Sequence, residues 1–154
     1  MADFSGKYDG KLDDKGRLVL PVAFRNKGVP NGGSLIVHKN IFEKSLDLYT
    51  QDEWQKFSGE VLAGINIHSR EGNRTWIAFN RHRNETDVDA KTGRIMIAKN
   101  LLELVGIDKE VCFFGNGNKI SLWAKEEWVK LNSEIDDEKV AADYERIMTK
   151  QHNR

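Results

Sequence analysis

The chain has 154 residues, 39% hydrophobic and 31% charged, with 24 Lys plus Arg balanced by 24 Asp plus Glu. That composition fits one globular domain or two small fused halves, and argues against a disordered chain or an indiscriminate polycationic binder. The only cysteine, Cys112, excludes an internal disulfide framework and a multi-cysteine zinc site, and reads as a small core residue.

The N-terminal MADFSGKYDG holds no apolar h-region, and no apolar run reaches membrane-spanning length, so the expected location is the cytoplasm. Lys7 to Leu12 reads as a strand, Asp13-Asp14-Lys15-Gly16 as a charged turn, and Arg17 to Leu20 as a second strand, together a hairpin. Pro21 suits a helix start, with a short helix over Val22 to Lys27. Gly28-Val29-Pro30-Asn31-Gly32-Gly33 breaks the chain. Strands are expected at 34–38 and 45–49. Thr50-Gln51-Asp52-Glu53 is a capping box that opens a helix through Trp54 and Phe57. Residues 58–84 read as a helix or two, anchored by Trp76, Ile77 and Phe79.

From residue 85 the order repeats. A strand over 85–88, a turn over Asp89 to Gly93 and a strand over Arg94 to Ile97 precede a helix over Ala98 to Val105, ended by Gly106. A strand over 110–114, the turn Gly115-Asn116-Gly117-Asn118, a strand over 119–123 and a helix from Lys125 complete the second unit. Gly16-Arg17 and Gly93-Arg94 lie 77 residues apart, and Asp47-Leu48-Tyr49 and Ser121-Leu122-Trp123 lie 74 apart. This is an internal duplication with unequal loops. It divides the chain into repeats over 1–57 and 85–131, a helical connector over 58–84 and a helical tail over 132–154. The tail, capped by Asp136 or Asp137, carries Val140, Tyr144, Ile147 and Met148 at helical spacing, a stripe that needs a partner.

Enzyme signatures are poor. His38, His68, His82 and His152 are scattered, with no metal-ligand spacing, no nucleophile elbow and no phosphate loop, so no catalytic, metal or cofactor residues are assigned. Charge is uneven instead. Residues 15–42 hold Lys15, Arg17, Arg25, Lys27 and Lys39 and no acid, residues 72–84 hold Arg74, Arg81 and Arg83 and no acid, and acids collect after 134. An arginine projected from a rigid turn reaches phosphates, or forks onto guanine O6 and N7, and Asp13 lies where it can orient the Arg17 guanidinium. A solvated hairpin with a surface ion pair is the plain alternative. Arg25 and Lys27 likewise have a simpler reading, as complements of a helix dipole.

Phe4-x-Gly6 with Leu12-Asp13-x-Lys15-Gly16-Arg17-Leu18-x-Leu20-Pro21, and Gly93-Arg94-Ile95 with Val105-Gly106-Ile107, Val111 and Gly115-x-x-Asn118-Lys119-Ile120-x-Leu122-Trp123, resemble the two signatures of the MraZ family. The resemblance spans about residues 4–130. It implies a β-rich α+β fold, a pseudo-twofold double-split β-barrel of two AbrB-like swapped-hairpin repeats with flanking helices. It also implies a nucleoid-associated transcriptional regulator that assembles into rings. Such a regulator binds double-stranded DNA at direct repeats upstream of its own gene, in the division and cell-wall gene cluster. Asp13, Lys15, Gly16 and Arg17 would form the first DNA-reading turn, Gly93 and Arg94 the second, with Arg25 adding to the basic surface. In the second copy Ala90 replaces the family's acid, and Asp89 serves Arg94 only if the turn bulges. Ala98 and Leu102 stand where the first copy has Pro21 and Arg25. An antitoxin-type protein-interaction module is the alternative reading.

Overall fold

The structure, a computed structural model, describes residues 3–29 and 32–152. Met1, Ala2, the Pro30-Asn31 part of the expected break and the side chain of His152 lie outside the described residues. In chain order the elements are β1 (Lys7–Lys11), β2 (Arg17–Val19), α1 (Val22–Arg25), β3 (Ser34–Lys39), β4 (Leu46–Tyr49), α2 (Gln51–Ala63) and α3 (Arg70–Asn80). There follow β5 (Arg83–Asp87), β6 (Arg94–Met96), α4 (Lys99–Leu104), β7 (Glu110–Gly115), β8 (Ile120–Ala124), α5 (Lys125–Glu134) and α6 (Asp137–His152). The strands form a six-stranded antiparallel sheet, ordered β1-β7-β8-β4-β3-β5, and a separate ribbon of β2 with β6.

The expected local hairpin of β1 with β2 is not formed. Its turn closes, with the Asp13 N–H donating to the Arg17 carbonyl at 2.9 Å, but the strands then part. β1 lies along β7 and β2 along β6, and β5 lies along β3 rather than β6. Burial explains the exchange. β1 is mostly exposed and offers Leu18 little apolar cover, whereas β6 sets Ile95 directly opposite it and both become 1% exposed.

Exchanging β1 with β5, β2 with β6, β3 with β7 and β4 with β8 leaves the pairing map unchanged. In the β2–β6 ribbon Leu18 faces Ile95, and in the β4–β8 ladder Asp47 faces Ser121. Both are pairs of repeat equivalents, so a pseudo-twofold axis passes between them. The main core lies between the ribbon and one face of the large sheet, where Leu35, Val37, Leu48, Phe113 and Leu122 meet Leu18 and Ile95, with Phe24 of α1 and Leu101 of α4.

Alternation along β3 sends Ile36 and His38 to the opposite face. There Ile36, Tyr49, Trp54 and Phe79 form a second cluster, roofed by α2 and α3, with Trp54 stacked on Phe79 at 5.5 Å. Thr50 caps α2 as expected, its hydroxyl oxygen accepting the Glu53 N–H at 3.3 Å. Trp76 and Phe79 anchor α3, but Ile77 does not. One residue around the helix from Trp76, it points away from the cluster and is 55% exposed. Asp136 caps α6, accepting the Glu138 N–H at 3.0 Å.

Candidate nucleic-acid interface

The turn before β2 is built by one carboxylate. Asp13 Oδ1 accepts the N–H groups of Lys15 and Arg17, each at 2.9 Å, and Oδ2 accepts Arg17 Nε at 2.7 Å. Gly16 sits at φ +80°, where a side chain would be strained. The Arg17 backbone N–H, with the Arg17 side chain and the Lys15 N–H, holds the Asp13 carboxyl below its ordinary range. The pair is about a third exposed (32% for Arg17, 37% for Asp13), so its Coulombic value is small. Its effect is geometric, since it fixes where the guanidinium points.

The second turn uses its acid differently. Asp89 Oδ1 accepts the N–H groups of Lys91 at 2.9 Å and Thr92 at 2.8 Å, and the Arg94 N–H goes to Thr92 Oγ1 at 3.2 Å. The Thr92 and Lys91 N–H groups hold the Asp89 carboxyl below its ordinary range. The extra residue, Thr92, lies before Gly93, and its N–H takes the contact with the acid that the Arg17 N–H makes in the first turn, while Asp89 does not grip the Arg94 side chain as Asp13 grips Arg17.

The two turns lock each other through the ribbon. The Ile97 N–H donates to the Gly16 carbonyl at 3.0 Å and the Leu20 N–H to the Gly93 carbonyl at 2.9 Å. Leu18 and Ile95 point inward, so Arg17, Val19, Arg94 and Met96 share the outer face, with Arg17 opposite Met96 and Arg94 opposite Val19. Val19 and Met96 are 56% and 55% exposed. The outer face is therefore two arginines on one diagonal and two apolar side chains on the other. Sequence reasoning omitted Val19 and Met96, although the period-two alternation around Leu18 and Ile95 marks them.

Arg25 lies in the last turn of α1, where the helix-dipole reading has it, and its side chain also makes contacts beyond the helix. It reaches across the pseudo-axis, donates from Nη1 to the Thr92 carbonyl at 3.4 Å and packs its side chain over Gly93, where a Cβ would meet it at 2.6 Å. Leu102, its equivalent, lies beside Gly16 more loosely, its Cδ1 3.9 Å from where a Cβ would stand. Lys15 is exposed at the tip of the first turn and Lys91 at the tip of the second. An open groove of about 680 Å³ beside the first turn is lined by Asp13, Lys15, Met96, Lys99 and Lys109 among others.

The described residues hold no group of three His, Cys, Asp or Glu that could ligate a metal, and no helix among them is long and apolar enough to cross a membrane. Cys112 is buried, which pushes its thiol up to about 11.

The model of a family described as "MraZ protein, putative antitoxin-like" matches residues 4–71 and again 79–151. This chain belongs to the MraZ family. A Mesoplasma florum protein named transcriptional regulator MraZ is 37% identical over 136 residues, covering 87% of this chain and 88% of that protein. Proteins of the same name from Syntrophomonas wolfei and Cytophaga hutchinsonii are 33% and 32% identical, over 94% and 84% of this chain and 93% and 85% of their own lengths. The family match and the pairing map divide the chain in the same sense, with β1–β4 in the first matched stretch and β5–β8 in the second.

Proposed function

We propose that this protein is a sequence-specific DNA-binding regulator of transcription, acting in the cytoplasm at the nucleoid. The outer face of the β2–β6 ribbon is the DNA-reading surface. The observation that carries the reading is the Asp13–Arg17 turn. Its carboxylate closes the loop and aims the guanidinium at once, giving a rigid donor fork on an exposed ribbon. A two-stranded ribbon fits the major groove, where Arg17 and Arg94 meet guanine acceptors or phosphates, and Val19 and Met96 suit thymine methyl groups. Lys15, Lys91 and Lys99 supply phosphate contacts that set register. The names of the relatives support a role in transcription.

In this reading the swapped strands and the pseudo-axis make one double-split β-barrel from two AbrB-like repeats. The two turns then act as a pair of tips on one side of it. Chains assemble into a ring that repeats those tips, and direct repeats upstream of the protein's own gene, at the head of a division and cell-wall cluster, engage several tips together. Multivalency then compensates for a net charge of zero.

Fluorescence anisotropy at near-physiological salt, with a duplex from upstream of the gene and a scrambled duplex of equal length, tests this. Selective binding that weakens steeply as salt rises is expected. Equal weak binding to both duplexes would favour the antitoxin-type alternative.

A further inference from the structure

The duplication sets a groove beside each turn, and the chain treats the two differently. Beside the second turn its own Arg25 lies over Gly93 and donates to the Thr92 carbonyl at 3.4 Å. Beside the first turn the corresponding residue is Leu102. It turns into the main core, 6% exposed, and its Cδ1 stays 3.9 Å from where a Cβ on Gly16 would stand. The groove of about 680 Å³ is open there, the size of a small-molecule site, and Leu12, Met96, Ile97 and Leu102 give it an apolar lining.

Strand register identifies what borders each groove. Ser34 pairs with Asp87 as Glu110 pairs with Lys11, so Gly32 corresponds to Asp108 and Ala90 to Asp14. Gly32 and Ala90 lie together, since a Cβ on Gly32 would stand 3.6 Å from that of Ala90. Asp108 and Asp14 hold the same two places beside the first turn, and both line the open groove. Lys15, Lys99 and Lys109 border it too, yet among the described residues neither acid is in an ion pair. Where the chain supplies a guanidinium it sets two small neutral residues. Where it withholds the guanidinium it sets two carboxylates, which repel each other and are stabilised by a cation between them. Lys15, which like Thr92 precedes the positive-φ glycine, adds a carbonyl acceptor.

We propose that this groove binds a small guanidinium compound with an anionic end, of which free arginine is the simplest. The guanidinium lies between Asp14 and Asp108, its planar fork matched to the carboxylates. The three-carbon stem lies along Leu102 and Met96, and the carboxylate meets Lys109. Asp14 adjoins Lys15 on the reading turn, so a bound cation offsets an acid that repels phosphate, and operator affinity rises. That second step rests on the DNA-binding reading above, whereas the site itself does not.

Isothermal titration calorimetry of L-arginine into the full chain tests the site, with citrulline, of the same shape but with a neutral urea head, beside it. Arginine is expected to bind, and citrulline to bind at least about ten-fold more weakly. Leu102→Arg, which fills the groove from within, should abolish the arginine heat. So should Asp14→Ala combined with Asp108→Gly, which copies the second half at two exposed positions. The combined variant leaves the core intact and stands in for Leu102→Arg should the latter lose its circular dichroism. No arginine heat in wild type, an equal heat from citrulline, or an undiminished heat in a folded variant would overturn the site. Anisotropy with the operator duplex, in arginine or in an equal concentration of lysine, tests the second step. Affinity should rise about three-fold in arginine alone. Arginine that binds in the calorimeter yet acts on operator affinity no differently from lysine would overturn the effector role. A protein that ignores the operator with and without arginine would overturn the DNA-binding reading, and the calorimetry would still judge the site.

Discussion

The two turns share a register, a positive-φ glycine and an arginine, yet they treat that arginine in opposite ways. Asp13 caps the loop with one oxygen and grips Arg17 with the other, whereas Asp89 caps Lys91 and Thr92. One inserted residue accounts for the change. It brings a second loop N–H within reach of the acid and puts the Thr92 hydroxyl in the place the acid would take beneath the Arg94 N–H. Duplication therefore preserved the scaffold and released one of its two acid–arginine contacts, so the halves should be interchangeable in stability and unequal in recognition.

The interchangeable part gives the largest effect. Leu18 and Ile95 face each other on the pseudo-axis, both 1% exposed. Leu18→Ala and Ile95→Ala should each cost about 2–5 kcal/mol of stability, and by similar amounts, in urea unfolding. Costs differing several-fold would mean the ribbon is not shared equally by the halves.

Recognition should break the symmetry. Arg17→Ala should weaken operator binding by about 1–3 kcal/mol, roughly 5- to 150-fold, and Arg94→Ala by clearly less. Asp13→Ala should reproduce most of the Arg17 loss without removing a cation, while Asp89→Ala should act chiefly on loop stability. Anisotropy on the four variants reads this directly. Equal losses for Arg17 and Arg94 would show that the carboxylate grip adds nothing.

The element order, the turns, the Thr50 cap and the Asp13–Arg17 contact were legible because each is decided within a few residues of chain. Strand partners were not. Lys7 to Leu20 satisfies every local rule for a hairpin, and the swap is preferred only because Ile95, far along the chain, covers Leu18 better than β1 does. The further contact of Arg25 was hidden for a related reason. A basic residue at a helix C-terminus already has a local explanation, which hides its reach to Thr92. Ile77 sits beside two genuine anchors, and only the helical phase distinguishes it from them.

The outer sheet faces differ as well. His38, paired with Asp47 and Arg83, occupies the place that Phe114, paired with Ser121 and Lys7, holds in the second half. His38 is 2% exposed, bonded through Nε2 to the Phe79 carbonyl at 2.7 Å, and burial among Trp54, Phe57 and Phe79 holds its pKa below 6.5. The unfolded chain thus binds the proton first as pH falls below about 6.5, and stability should drop there by at most about 1.4 kcal/mol per pH unit. Thermal melts between pH 7.5 and 5.5 should show that slope in wild type and lose it in His38→Phe, which makes the first half resemble the second. An unchanged slope in the variant would assign it to another group.

The smallest effect concerns Arg25. Arg25→Leu makes the first half match the second, where Leu102 lies beside Gly16. If Arg25 is a brace, its Cδ and the near side of its guanidinium do the packing over Gly93, and Nη1 donates to the Thr92 carbonyl. Leucine keeps part of that cover, so the melting temperature should hardly move, with a change within about 0.5 kcal/mol. Operator affinity should fall only a few-fold, with little change in its salt dependence, because a guanidinium engaged by the protein releases few counterions on binding. A loss as large as that of Arg17→Ala, with a shallower salt slope, would instead place Arg25 on the phosphates. The brace would then be a resting pose that DNA displaces, and Arg25 would offset the weaker second turn with a contact of its own.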